Sequence, residues 1–331
     1  KETTLIYALV PLIFLMLSLF YAIQIAEIDV HIPILVSAFF AAGVAIFGLN
    51  YTWDEIEKGM METIKMSLQA IIILMIIGMV VGTWIQSGVV PSMIFYGLKI
   101  LSPGIFLPAT VIICAIVAIA TGSSWTTAAT VGIALIGVGE GLGIPRNIVA
   151  GAIISGAYMG DKLSPLSDTT NLAPAMAGTD LFTHIKHMLY TTVPSFVITL
   201  IMFGFLGMRY TGEALNTEMI TGILTTLSGS FNVSPLLLLV PVIVIGAVVM
   251  KVPAIPGLFG GAILGGIAAM IFQGVTLGSV FKTLHYGYTG ESGLAMVDDL
   301  LNRGGLDSMM WTISLILCAM ILGGIMEKTQ M

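Results

Sequence analysis

Seven stretches of the chain run without a single charged residue for about the length that a helix needs to cross a bilayer. They are Leu5–Ile23, Ile32–Leu49, Met66–Ile85, Val193–Met208, Pro235–Met250, Pro253–Phe272 and Ser308–Met326. A hydrocarbon core of about 30 Å takes about 20 apolar residues in helical form. The remaining sequence cannot supply a water-compatible surface, because 12 Lys+Arg and 18 Asp+Glu are all the charge in 331 residues. A soluble domain carries about a quarter of its residues as charged side chains. The chain therefore reads as an all-α polytopic membrane protein. Leu5–Ile23 is followed by Gln24-Ile-Ala-Glu27 with no small-residue cleavage site, so it reads as a first span rather than a signal peptide.

The same scarcity excludes other classes. Twelve scattered basic residues and a net charge of −6 leave no basic stripe for nucleic acid. Cys114 and Cys318 each sit in an apolar run, which fits packing rather than a disulfide or a metal pair. His184 and His187 lie three apart on an amphipathic stretch with no cysteine or acidic trio beside them, so no metal set forms. Gly137-Val-Gly-Glu-Gly-Leu-Gly143 lacks the strand–helix context and the Lys-Ser/Thr of a phosphate-cradling loop. Gly160-Asp161 resembles in part the Gly-x-Gly-Asp of intramembrane aspartyl proteases, but Tyr158 stands where the first glycine belongs. Ser123 and Ser124 have no histidine on a neighbouring span to activate them. The expectation is a protein that is not an enzyme and needs no cofactor.

Between the full-length runs lie apolar segments too short to span alone. Phe106–Thr121 meets Thr126–Gly139 across Gly122-Ser-Ser-Trp125, and Asn147–Gly160 meets Leu166–Gly178 across Asp161-Lys-Leu-Ser-Pro165. Irregular backbone at membrane depth survives only where protein or a watery cavity satisfies it. The spacing predicts a re-entrant hairpin over 106–139 and a broken helix over 147–178, the usual construction of a transporter's central site. A weak internal repeat accompanies them: Gly48-Leu-Asn-Tyr-Thr-Trp53 leads through Gly59 to Gly78-Met-Val-Val-Gly82, and Gly274-Val-Thr-Leu277 leads through Gly287 to Ala319-Met-Ile-Leu-Gly323. The expected organisation is a first structural repeat over 1–222 and the beginning of a second, inverted and truncated, over 223–331. Met79 to Met320 is an offset of 241 residues, so an intact two-repeat chain is expected to run to roughly 450 residues. Too few basic residues punctuate the loops to assign an orientation.

Two clusters break the apolar pattern. Thr121-Gly-Ser-Ser-Trp-Thr-Thr-Ala-Ala-Thr130 carries six hydroxyl residues in ten positions. Gly122 permits a tight reversal, and Ser123, Ser124, Thr126 and Thr127 offer the neutral oxygens that a hard ion such as sodium prefers. Hydroxyls that merely satisfy backbone groups are the other reading, and on this cluster alone both stay open. The second cluster is Gly160-Asp-Lys-Leu-Ser-Pro-Leu-Ser-Asp-Thr-Thr-Asn-Leu-Ala-Pro174, where Pro165 and Pro174 each interrupt a helix. A charge at the bilayer centre costs about 2.5–3.5 kcal/mol even on the gentlest scale, so Asp161, Lys162 and Asp168 need a partner or a task. Asp161 and Lys162 could neutralise each other. Asp168, set among Ser167, Thr169, Thr170 and Asn171, has only oxygen-bearing neighbours, which suits a small coordinated cation.

These residues carry a resemblance. The 25-residue stretch Ala150–Pro174 closely resembles the signature of the NhaC-type sodium/proton antiporter family, with Thr121-Gly-Ser-Ser-Trp-Thr-Thr127 similar to the motif before it and Asp180–Pro194 to the stretch after it. The resemblance implies a multi-pass carrier of the bacterial or archaeal cytoplasmic membrane, built from two inverted repeats with a re-entrant hairpin and a discontinuous helix in each, usually as a homodimer. The second hairpin and second broken helix are absent from this sequence. Carried over, the hairpin tip Gly122, Ser123, Ser124 and Thr126 would face Ser167, Asp168, Thr169 and Asn171 and form a sodium site. In that reading Asp168 coordinates the ion and Asp161 carries the proton or gates, with an exchange of those two roles the obvious error.

A carboxylate withdrawn from water favours its protonated form, so it can hold either a proton or a sodium ion, and loading one expels the other. The expected function is sodium/proton exchange by alternating access in the lipid bilayer. The alternative within the same family couples sodium and protons to a small carboxylate such as malate or lactate, with Lys162 or half-helix N-termini as the anion's anchor. An amino-acid carrier and a passive channel are the more remote readings.

Overall fold

The structure is a computed structural model that describes residues 5–100, 102–121, 124–164, 167, 170, 173–174, 179–210, 217–250 and 252–331. It is all-helical, with no strand among these residues. In chain order the helices are α1 (Leu5–Phe20, prolonged by a π turn over Tyr21–Ile25), α2 (His31–Leu49), α3 (Trp53–Gln86), α4 (Val89–Ile100), α5 (Pro103–Thr121), α6 (Ser124–Thr127), α7 (Ile133–Gly141) and α8 (Arg146–Leu163). They continue with α9 (Leu181–Arg209), α10 (Thr217–Ser230), α11 (Leu239–Val249), α12 (Ala254–Gln273), α13 (Leu277–Tyr286), α14 (Ala295–Leu301) and α15 (Met310–Thr329). Among the described residues six helices are long and apolar enough to cross a membrane: Leu5–Ile25, His31–Leu49, Trp53–Gln86, Leu181–Arg209, Ile255–Gln273 and Asp307–Thr329. The protein is a polytopic membrane protein.

One expected span has a different form. Pro235–Met250 is not a lone straight helix: Pro235–Ala247 follows Ile220–Ser230 at a bend of 92°, and the two together would make a seventh crossing. The bend has a local cause. Ser234 caps the new turn by accepting the Leu236 N–H, and Pro235 brings no N–H of its own to the first position. The preceding Asn232 is tied down by Gln273, whose Oε1 accepts its N–H at 3.0 Å.

Two helices are longer than their apolar runs. In α3 the amphipathic stretch before Met66 and the apolar run after it form one helix of 34 residues, about 51 Å at 1.5 Å per residue. Its charges, Asp54, Glu55, Glu57, Lys58, Glu62 and Lys65, all fall in the first turns, where an excess over the 30 Å hydrocarbon slab can meet water. A Thr-x-x-Glu box starts it: Thr52 N–H and Oγ1 both donate to Glu55 Oε2, at 2.8 and 2.9 Å. Likewise α9 begins at Asp180, which accepts the Thr183 N–H at 3.0 Å, and so absorbs the His184–His187 stretch into the helix that contains Val193–Met208. The Asp180 carboxyl is held below the usual range by that N–H.

The chain forms two compact units, one up to Met75 together with Met309–Met331, the other Ile76–Ser308. In the first, α2 packs on α1 and on α15. Ala38, Ala41, Ala42 and Ala45 make a buried small-residue stripe against Ile56, Met60, Leu322 and Ile325, the spacing that lets helix backbones approach without a hydrophobic drive from lipid. Gly59 and Gly324 mark the tightest crossing, since a Cβ on Gly324 would lie 2.7 Å from Gly59 O. In the second unit α5 lies along α8, α9 packs on α5, α4 packs on α7, and α11 pairs with α12. Trp84, fully buried, donates its indole N–H to Gly261 O at 2.9 Å and joins the end of α3 to α12.

Candidate functional site

The close pairing of α5 with α8 rests on two glycines four residues apart. A Cβ on Gly156 would lie 2.2 Å from Val111 O, and one on Gly160 would lie 2.2 Å from Ala115 O. Only a residue without a side chain lets α8 seat against the backbone of α5 there. This Gly-x-x-x-Gly seam runs directly into Asp161, and α8 also packs on α6.

At that point the two expected clusters meet. Ser124 Oγ, at the start of α6, donates to Asp161 Oδ2 at 2.8 Å. The other carboxylate oxygen, Asp161 Oδ1, is buried and has no hydrogen-bond partner among the described residues. Ser164 Oγ donates to Ile119 O at 2.7 Å, fastening the end of α8 to the end of α5. Thr170 Oγ1 donates to the carbonyls of Asp161 and Lys162, each at 3.1 Å, and so supplies partners to acceptors that the end of α8 leaves open. Thr126, Thr127, Thr130, Ser164, Ser167 and Thr170 are all buried, and Thr130 Oγ1 donates to Thr126 O at 2.7 Å, its ordinary helical partner. The result is a part-buried carboxylate held by one serine hydroxyl, at a helix end whose carbonyls are bonded by Thr170.

Of the residues expected at the site, Ser124, Thr126, Asp161 and Ser167 are described. Ser124 and Asp161 are in contact, and Thr126 and Ser167 are each buried. Gly122, Ser123, Asp168, Thr169 and Asn171 lie outside the described residues. Lys162 does not neutralise Asp161: it is exposed and makes no ion pair among the described residues. Among them, too, no three His, Cys, Asp or Glu side chains gather where they could hold a metal ion. Ser164, Thr170 and the glycine pair are not singled out by the sequence pattern, yet they fasten the end of α8. The glycine spacing was the available signal.

With that geometry in place the relatives become informative. The model of the Na+/H+ antiporter family matches residues 156–331. A protein of Alkalihalophilus pseudofirmus named Na(+)/H(+) antiporter NhaC is 41% identical over 331 residues, covering 99% of this chain and 71% of that protein. The chain belongs to the Na+/H+ antiporter family. The Malate-2H(+)/Na(+)-lactate antiporter of Bacillus subtilis is 40% identical over 316 residues, 96% of this chain and 67% of that protein. The Arginine/ornithine antiporter ArcD of Halobacterium salinarum is 38% identical over 324 residues, 97% of this chain and 67% of that protein. No solved structure matches the chain. The family signature expected at Ala150–Pro174 thus overlaps the α8 seam and the Asp161 pocket.

Proposed function

We propose that this antiporter exchanges sodium for protons across a cell membrane, and that Asp161 is the group on which the two ions compete. One observation carries the assignment: Asp161 is bonded through Oδ2 to Ser124, while Oδ1 is buried without a partner among the described residues. A buried carboxylate oxygen left unsatisfied costs several kcal/mol if it bears charge. Two species relieve that cost, a proton on the oxygen or a cation beside it. Occupation by one removes the reason for the other, which is the physical content of obligatory exchange.

In this reading Ser124 fixes the carboxylate's orientation and can turn its oxygen toward the cation, since a hydroxyl both donates and accepts. Asp168, with Ser167, Thr169 and Asn171 on the same segment, supplies further sodium ligands, and the hairpin tip Gly122–Thr126 closes the shell. Sodium is cargo here and no cofactor takes part. The surrounding frame is an inverted-repeat carrier with a re-entrant hairpin and a discontinuous helix, 1–222 forming the first repeat and 223–331 part of the second. It works as a homodimer in a bacterial or archaeal cytoplasmic membrane.

The test is sodium-driven proton movement in proteoliposomes, read with a pH-sensitive dye, for Asp161→Asn and Asp168→Asn in the intact protein. Loss of exchange in Asp161→Asn is expected. Exchange that survives both substitutions would sink the site. A second reading, exchange coupled to a small carboxylate, draws support from the 40% identical malate/lactate antiporter and from Lys162, an exposed cation next in sequence to Asp161. Uptake of labelled malate by the same vesicles separates it from simple cation exchange.

A further inference from the structure

A cavity of about 490 Å3 lies within the second compact unit, and nothing in the exchange chemistry uses it. Its lining includes Gln86, Gln273, Ser279, Lys282, Tyr286 and Tyr288. Gln86 is the last residue of α3 and Gln273 the last of α12, so the cavity opens where two spanning helices end. That places it at the level where headgroups begin. Its outer wall is α13, a short amphipathic helix that buries Val280 and Thr283. The same helix exposes Leu277 and Phe281, one turn apart. Such a helix lies in the interfacial plane with its apolar residues toward the acyl chains.

The polar groups around the cavity divide into those already used and those still available. Gln273 is consumed in holding the walls together: its Nε2 donates to Ser87 O at 2.9 Å and its Oε1 accepts the Asn232 N–H. Gln86 Nε2 donates to Ser279 Oγ at 2.8 Å, which leaves the serine proton free to point at a ligand. Gln86 itself is 5% exposed, and its Oε1 is buried without a partner among the described residues. Lys282 is exposed and makes no ion pair among the described residues. It is the sole charged side chain in the described lining, which contains no carboxylate. Tyr288 keeps its phenolic proton, because burial first and Asp298 second push its pKa up.

From this placement we propose that the cavity binds the phosphate of an anionic phospholipid, with Lys282, Ser279 and the tyrosine hydroxyls around the phosphate and an acyl chain lying along Leu277 and Phe281. An ammonium with no counter-ion, neutral donors beside it and an apolar stripe leading away match the three parts of such a lipid. A free phosphate would satisfy the polar part alone.

The test is native mass spectrometry of the detergent-purified intact protein titrated with palmitoyl-oleoyl phosphatidylglycerol or phosphatidylcholine. Wild type is expected to retain phosphatidylglycerol in preference, Lys282→Gln to lose roughly fivefold in retention, and Lys282→Arg to recover it. Lys186→Gln on α9 serves as a charge-matched control and should leave retention unchanged. Equal retention by wild type and Lys282→Gln overturns the site, as does an equal loss in the Lys186→Gln control. Displacement of the lipid by inorganic phosphate at equal concentration, or retention unaltered in Phe281→Ser, overturns the lipid as its occupant.

Discussion

Adding one methyl group to Gly160 should dismantle the contact on which the proposed exchange depends. An alanine Cβ at this position would stand 2.2 Å from Ala115 O, 2.7 Å from Ala118 Cβ and 2.9 Å from Ile119 N. The closest ordinary carbon–oxygen contacts are about 3.3 Å, so α8 must withdraw from α5 by about 1 Å. Two hydrogen bonds bridge the region that opens, Ser124 to Asp161 at 2.8 Å and Ser164 to Ile119 at 2.7 Å. An added ångström takes both past the roughly 3.2 Å limit of a useful bond. Overpacking of this kind costs about 1–3 kcal/mol, and a lost bond to a carboxylate about 1.5–3 kcal/mol. The second figure corresponds to an apparent sodium affinity weakened by about tenfold or more. The assay is sodium-driven proton movement in proteoliposomes over a sodium titration, with folded protein measured by size-exclusion chromatography. Gly151→Ala is the matched control on the same helix, because its Cβ would meet only Phe203 Cζ at an ordinary 3.7 Å. If well-folded Gly160→Ala exchanges ions with unchanged affinity, the seam does not position Asp161 for transport.

Three further outcomes follow from the same contacts. Ser124→Ala removes the one side-chain donor to the carboxylate among the described residues, so apparent sodium affinity should fall by about tenfold while Ser124→Thr keeps most of it, read in the same sodium titration. Trp84→Phe leaves Gly261 O without its indole donor in a fully buried site and should lower thermal stability by about 1–3 kcal/mol, without changing apparent sodium affinity in an assay run below the melting range. Asp180 contributes stability to the start of α9 only while ionised. Its folded pKa is lowered, so the contribution is present above the ordinary carboxylate range and lost as pH falls through the lowered value; Asp180→Asn should therefore lower the melting temperature slightly near neutral pH, and the difference from wild type should vanish as pH falls below the lowered value, read in a thermal melt over a pH series.

Much of the molecule was readable from hydropathy alone, because the bilayer demands long uncharged helices and little else mimics them. Ile32–Leu49 became α2 almost residue for residue, and Pro253–Phe272 became α12. Hydropathy fails where a helix continues past the apolar slab: α3 and α9 begin at capping residues, Thr52 and Asp180, well before their apolar runs. It also fails at bends. Pro235–Met250 has the composition of a span, yet it follows a 92° bend beside which Gln273 bonds Asn232, a contact between residues 41 apart in sequence. At the site, the clustering of hydroxyls and carboxylates announced chemistry, but the resemblance set the hairpin tip against Ser167, Asp168, Thr169 and Asn171, whereas the contact seen runs from Ser124 to Asp161. That Asp161 rather than Lys162 takes the contact was not legible, since it is decided by which side of α8 the glycine seam turns toward α5. Membrane helices pack through small residues, and a glycine in an apolar run gives no hint of its partner until the partner's backbone is placed.

The hydroxyls around the end of α8 have a bearing on leakage. Thr170 occupies the Asp161 and Lys162 carbonyls, and Ser164 occupies that of Ile119. These three carbonyls thus have partners that do not depend on a bound ion. Under the proposed exchange, the penalty for an empty carrier then falls on one atom, Asp161 Oδ1. A carrier built this way meets its steepest electrostatic barrier when it tries to return with nothing aboard. Under that proposal slippage, the uncoupled loss of a gradient, is opposed at a single oxygen atom, which has no hydrogen-bond partner among the described residues.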